Sequence, residues 1–146
     1  MIRPMTKFKI LVCGGRDFHN RLAMNSVLAE YRTEYGTTGL IIIEGAAKGA
    51  DKLAHLWAVA NSIENWRFPA DGNRYKNAAG PIRNKQMLDE GVPDLVIAFP
   101  GGNGTANMIK QARSRNFPVR VVECDKLSDS ERDDTELNNI LKWCIT

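Results

Sequence analysis

Glycines that follow apolar runs, with charged side chains beside them, are the chemistry-bearing feature of this chain. The segment Ala98-Phe99-Pro100-Gly101-Gly102-Asn103-Gly104-Thr105 closes one apolar run and precedes Ala106-Asn107-Met108-Ile109-Lys110-Gln111-Ala112, which reads as a helix. Strand, glycine loop and helix in succession aim free backbone N–H groups and the positive end of a helix dipole at one point. Such a point binds anions, phosphate above all. Glycine lets the backbone approach a ligand closely. Thr105 falls where an N-cap is expected, and its hydroxyl suits either the helix or a phosphate. A glycine turn without a ligand has the same pattern, so this loop alone leaves both readings open.

Three further loops carry similar chemistry: Gly14 to Phe18, Glu44 to Asp51, and Pro69 to Arg83. Arg16, Lys48, Arg83 and Lys85 offer positive charge, and a guanidinium at Arg83 can grip phosphate through two parallel hydrogen bonds. Asp17, Glu44, Asp51 and Asp71 suit ribose hydroxyls or acid–base chemistry. Ordinary roles stand beside these. Asp51 can be a helix cap, Asp17 a turn residue, and Lys48 and Lys85 solvated charges. Tyr75 can stack on a base or lie exposed, and His55, one turn beyond Asp51, suits a structural role.

The elements that must position these loops alternate between strand and helix. Phe8 to Cys13 is the first strand, and Asn20 can cap a helix running to about Tyr35. Leu40-Ile41-Ile42-Ile43 has the continuous apolar character of a buried parallel strand. Asp51 opens a helix to about Ala60, and Ile63 to Phe68 alternates like a strand with one more exposed face, at an edge. Pro69 to Gly80 shows no periodic pattern, and a loop of that length is usually functional or mobile. Pro81 can begin a helix to about Glu90, stopped by Gly91. The fourth strand, 94–99, leads into a helix to about Asn116, and the fifth is Val119 to Glu123. This pattern predicts a Rossmann-like, doubly wound, five-stranded parallel sheet with helices on both faces. In the common doubly wound order the first and fourth strands are neighbours where the winding reverses. All four loops then meet at one edge of the sheet, at the crevice where such folds bind ligands.

At 146 residues the chain is expected to be one domain, 1–125, with a charged extension, 126–146, whose residues from Thr135 to Cys144 can form a short amphipathic helix. That helix needs a surface, its own sheet or another copy, so a homo-oligomer is one expectation. With 43% apolar and 25% charged residues and no long apolar run, a membrane protein is not expected. The N-terminal residues lack the pattern of a signal peptide, which points to the cytoplasm. Three cysteines and two histidines without ligand spacing predict free thiols and no metal site. The net charge of +3 suits an anionic small ligand. The basic residues are scattered rather than collected in a groove with aromatic platforms, which argues against nucleic acid as the partner.

Taken in order, residues 13–18 (Cys-Gly-Gly-Arg-Asp-Phe), 45–51 (Gly-Ala-Ala-Lys-Gly-Ala-Asp), 79–85 (Ala-Gly-Pro-Ile-Arg-Asn-Lys) and 98–105 resemble the YspA-like branch of the SLOG superfamily. The resemblance spans residues 7 to 123. It implies a Rossmann-like fold and a site for nucleotides or their derivatives, without fixing a reaction. Relatives include the LOG phosphoribohydrolases, which cleave the N-glycosidic bond of nucleoside monophosphates. Others are thought to sense nucleotide-derived signals in bacterial and phage conflict systems, and DprA-type relatives bind single-stranded DNA. The LOG arginine matches Arg83, but the catalytic glutamate of their PGGxGTxxE motif falls at Met108. Cleavage at a glycosidic bond needs a carboxylate near the anomeric carbon. Glu44 or Asp51 could supply it from another loop.

The resulting expectation is a binding protein for a phosphate-bearing, nucleotide-like ligand, acting as sensor, sequestering protein or carrier, with no cofactor. The ligand would be held by Gly14, Gly15, Arg16, Asp17, Gly45, Lys48, Asp51, Arg83, Asn84 and the loop Pro100, Gly101, Gly102, Asn103, Gly104, Thr105. The alternative is an N-glycosidic hydrolase or transferase, with Arg83, Glu44 and Asp51 as its catalytic candidates.

Overall fold

The computed structural model describes residues 6–126. Five strands form one parallel sheet: β1 (Phe8–Cys13), β2 (Leu40–Glu44), β3 (Glu64–Arg67), β4 (Leu95–Ala98) and β5 (Val119–Val121), in the order β3-β2-β1-β4-β5. β1 is central. It pairs Ile10 with Ile42 on one side and Val12 with Ile97 on the other. The chain thus winds outward twice from β1, first through β2 and β3, then through β4 and β5, as the sequence pattern predicts. β3 is an edge strand and half-exposed, in keeping with its alternation.

Side chains alternate across the sheet and separate the core into two layers. Ile10, Val12 and Ile42 face helices α1 (Arg21–Tyr35) and α2 (Ala50–Ala60), packing with Met24, Val27, Leu28, Ala54 and Trp57. Leu11, Ile43, Val96 and Ala98 face the opposite side, where Met87, Leu88, Met108 and Ala112 close the second layer from α4 (Ala79–Gln86), its π-helical continuation Met87–Gly91, and α5 (Asn103–Ser114). With helices on both faces, every β1 residue from Ile10 to Cys13 is buried. That burial explains why the strand reads as an unbroken apolar run.

Several boundaries differ from the sequence reading. The aperiodic stretch after Pro69 is not a plain loop. It holds a single helical turn, α3 (Gly72–Tyr75), capped where Asp71 accepts the Arg74 N–H at 3.1 Å, then a 3₁₀ turn, Lys76–Ala78. α4 starts at Ala79, so Pro81 lies inside its first turn, where its missing N–H costs no helical bond. α2 and α5 start ahead of Asp51 and Thr105, and their caps are Gly49 and Gly102. The C-terminal amphipathic helix expected at 135–144 lies outside the described residues. No helix among the described residues is long and apolar enough to cross a membrane.

Asn20 caps α1 as expected and does a second job. Its Oδ1 accepts the Ala23 N–H at 3.0 Å, and its Nδ2 donates to the Asp125 carbonyl at 3.0 Å. The adjacent His19 N–H donates to the Lys126 carbonyl at 2.8 Å, so the chain leaving β5 is fastened to the start of α1. Asn20→Ala removes a cap and the bond that holds the Asp125 carbonyl. Urea unfolding should show a loss of about 1–2 kcal/mol, with a smaller loss for Asn20→Asp, which keeps the capping oxygen.

Candidate functional site

The loops after β1, β2 and β4 are laced together by backbone. The β1–β4 ladder continues past both strand ends: the Phe99 N–H donates to the Cys13 carbonyl, and the Gly15 N–H to the Pro100 carbonyl, both at 2.9 Å. The Gly15 carbonyl in turn accepts the Phe18 N–H at 3.2 Å and the Ala50 N–H at 3.1 Å. This crossing is too tight for side chains. A Cβ on Gly49, whose φ is +77°, would lie 2.1 Å from the Gly15 carbonyl oxygen. One on Gly101 would lie 2.2 Å from Thr105 Oγ1.

Gly102 and Gly104 are different. A Cβ at either position would meet nothing within 4 Å. Both line a cleft of about 910 Å³ at the sheet edge, where the chain leaves the paired strands β1 and β4 for helices on opposite faces. No side chain caps α5 behind Gly102, so its first N–H groups are left to this cleft.

All four loops identified in the sequence contribute walls. Gly14, Gly15, Arg16 and Asp17 come from the first, and Asp51 from the second. Arg83 and Asn84 come from the second half of α4, which follows the third loop, and residues 102–105 from the last. Five expected residues lie behind or beside the walls rather than in them. Pro100 and Gly101 serve the backbone lacing, and Gly45 is buried under Arg83, whose Nη1 donates to the Gly45 carbonyl. Lys48 is exposed outside the cleft.

Glu44 is the fifth, and it lies outside the cleft lining. It is fully buried at the end of β2. Its Oε1 accepts the Ala46 N–H at 2.6 Å, and its Oε2 accepts Arg67 Nε at 2.7 Å and Asn65 Nδ2 at 3.2 Å. A carboxylate enclosed in this way fastens β3 to β2. His55, whose Nδ1 meets Asn65 Oδ1, belongs to the same clamp. Lys85 pairs with Asp89 at 2.7 Å on the surface, and Tyr75 lies against Arg74.

Asp51 keeps its candidacy. It lines the cleft from the first turn of α2, only 6% exposed, and accepts the Ala47 N–H at 3.2 Å. Burial pushes its carboxyl up to about 6, and Glu44 adds to the rise, against the lowering effect of Arg83 and the Ala47 and Gly45 N–H groups. Cys13 forms part of the floor, its thiol raised by burial and then by Asp51, so it is a poor nucleophile.

Among the polar lining residues, the sequence reading passed over Lys76, Asn77 and Asn107. Lys76, in the 3₁₀ turn, adds a cation to the cleft. Asn107 lines it from α5, while Met108 beside it is fully buried in the second core layer. The clue to Asn107 was helical spacing: it lies one turn beyond Asn103, on the face that meets the loops.

Because the folded protein raises the Asp51 pKa, it binds the Asp51 proton more tightly than the unfolded chain does. This contribution to stability is fully present below the unfolded value near 4 and is lost as pH rises through about 6. Asp51→Asn should therefore match the wild type near pH 4 and exceed it above pH 7, by on the order of 3 kcal/mol. Thermal unfolding across pH 4–8 measures this, and a constant difference over that range would contradict it.

Comparison with known proteins agrees with this architecture. Residues 8–75 match the family described as YspA, cpYpsA-related SLOG. Gene 61 protein of Mycobacterium phage D29 is 31% identical over 120 residues, covering 76% of this chain and 93% of that protein. Among solved structures, the Moco carrier protein from Chlamydomonas reinhardtii superposes with a TM-score of 0.56 at 16% identity, over 94% of this chain and 86% of the other. A UDP-N-acetylglucosamine 2-epimerase gives 0.52 at 14% identity, over 93% of this chain and 39% of that one. At those identities the solved structures share the fold. The matched sequence and the loops it contains show that this chain belongs to the YspA, cpYpsA-related SLOG family.

Proposed function

We propose that the protein binds a phosphate-bearing, nucleotide-like ligand in this cleft, as a sensor, sequestering protein or carrier. The uncapped N-terminus of α5 carries the proposal: it opens onto the cleft between two glycines whose Cα atoms face open space. Free N–H groups and a helix dipole there suit a phosphoryl group. Arg16, Lys76 and Arg83 place three cations around the same volume, against Asp17 and Asp51. Arg83 is held in position by its bonds to the Gly45 carbonyl and, at 3.2 Å, to Asn84 Oδ1. A cleft of about 910 Å³ is large enough for a nucleotide. The absence of a carboxylate at Met108 favours holding over cleavage. The naming of one fold relative as a Moco carrier protein accords with that role.

One observation favours a second reading, an N-glycosidic hydrolase. Asp51 is a cleft-lining carboxyl with a pKa near 6, the range in which a general acid or base works at neutral pH. Incubation with AMP and ADP-ribose followed by mass spectrometry separates the two. Intact ligand recovered from the complex supports binding, and released base, lost in Asp51→Asn, supports hydrolysis.

Gly102→Asp is a clean probe of the phosphate site, because a Cβ there meets nothing within 4 Å. Thermal stability should stay close to wild type while affinity for a phosphate-bearing probe falls by about tenfold or more, the effect of 1.4 kcal/mol. Calorimetric titration showing equal affinity in both proteins would remove α5 from the site.

A further inference from the structure

A run of side-chain amides joins α4 to α5 along the cleft, and its polarity is fixed from both ends. Arg83 Nε, which can only donate, lies 3.2 Å from Asn84 Oδ1. Asn84 Nδ2 therefore faces the other way and donates to the Gly104 carbonyl at 3.2 Å and to Asn107 Oδ1 at 3.1 Å. From the far end, Gln111 Nε2 donates to the Pro81 carbonyl, which can only accept, at 3.1 Å, and to Asn107 Oδ1 at 2.7 Å. Two amide donors converge on one oxygen, so the Asn107 side chain has one allowed orientation. Asn84 is buried and its polar atoms are satisfied. Asn107 lines the cleft, and its Nδ2 has no acceptor among the described residues.

We infer that Asn107 is a fixed hydrogen-bond donor of the cleft and that the ligand presents an acceptor oxygen, phosphoryl or ring carbonyl, to its Nδ2. This rests on the proposed binding of a nucleotide-like ligand and adds a selectivity to it. A rotating amide would accept from a ligand N–H as readily as it would donate to a ligand oxygen. This one cannot turn without setting its own N–H groups against the amide donors of Asn84 and Gln111. A ligand amino group at that point therefore faces a donor with which it has no bond to make. The network also ties the donor to Arg83, so the two groups are set in register on the ligand.

Asn107→Asp tests the inference with a change at one atom: the carboxylate still accepts from Asn84 and Gln111, while the donor becomes an acceptor and gains a negative charge. The full chain, ¹⁵N-labelled, is titrated with ribose 5-phosphate, inosine 5′-monophosphate and adenosine 5′-monophosphate. The side-chain amide signals of Asn107 should shift together with the Gly102 and Gly104 backbone signals. Asn107→Asp should then weaken the same probe by about tenfold or more. A response to ribose 5-phosphate identifies a phosphoryl acceptor. A response confined to inosine 5′-monophosphate identifies the ring carbonyl that adenosine 5′-monophosphate lacks. Shifts at Gly102 and Gly104 with Asn107 unmoved, and equal affinity in Asn107→Asp, would overturn the inference and leave the binding site standing. No shift at any cleft residue with any of the probes would remove the binding reading itself, and this donor with it.

Discussion

The peptide of Gly15 holds the site together. Its N–H reaches the loop after β4, and its carbonyl takes N–H groups from its own loop and from the start of α2. Three chain segments far apart in sequence thus share one residue's two backbone groups. The crossing leaves no space for a side chain on Gly49 or Gly101, so their glycines are a matter of contact distance before any ligand is considered. Sheet order makes this meeting possible: β1 lies between β2 and β4, and the loops leaving the three strands emerge at one edge.

This lacing divides the glycines by task. Those behind the wall let backbone pass backbone, while Gly102 and Gly104 leave the start of α5 uncovered. Charged groups divide in the same way. Glu44 and Arg67 clamp the edge strand, whereas Asp51 and Arg83 reach the cleft. A buried carboxylate with every oxygen engaged and one raised toward neutrality by burial thus sit on the same loop with different work.

The strands, their order and the convergence of four loops were legible because apolar runs and glycine punctuation are local signals. Helix starts were less so. Thr105 and Asp51 have capping chemistry, but glycines ahead of them can take the cap conformation, so both helices begin earlier. The turns at 72–78 are shorter than any period that could reveal them. Glu44 ends a strand, and nothing nearby in sequence shows that Arg67 and Asn65 enclose it. Asn107 is an ordinary helix residue until Asn84 and Gln111 are brought to it by packing.

The burial of Met108 bears on how this chain could change over evolutionary time. Its side chain lies in the apolar layer beneath α5 with Leu11, Ile43 and Ala98, fully out of solvent. A glutamate introduced there would be an unpaired charge among hydrocarbon, a change that destabilises the fold before it adds anything to the cleft. The mutational route from this protein to a glutamate-dependent hydrolase is therefore blocked at its first step. Any lineage taking it would have to repack or rotate α5 beforehand.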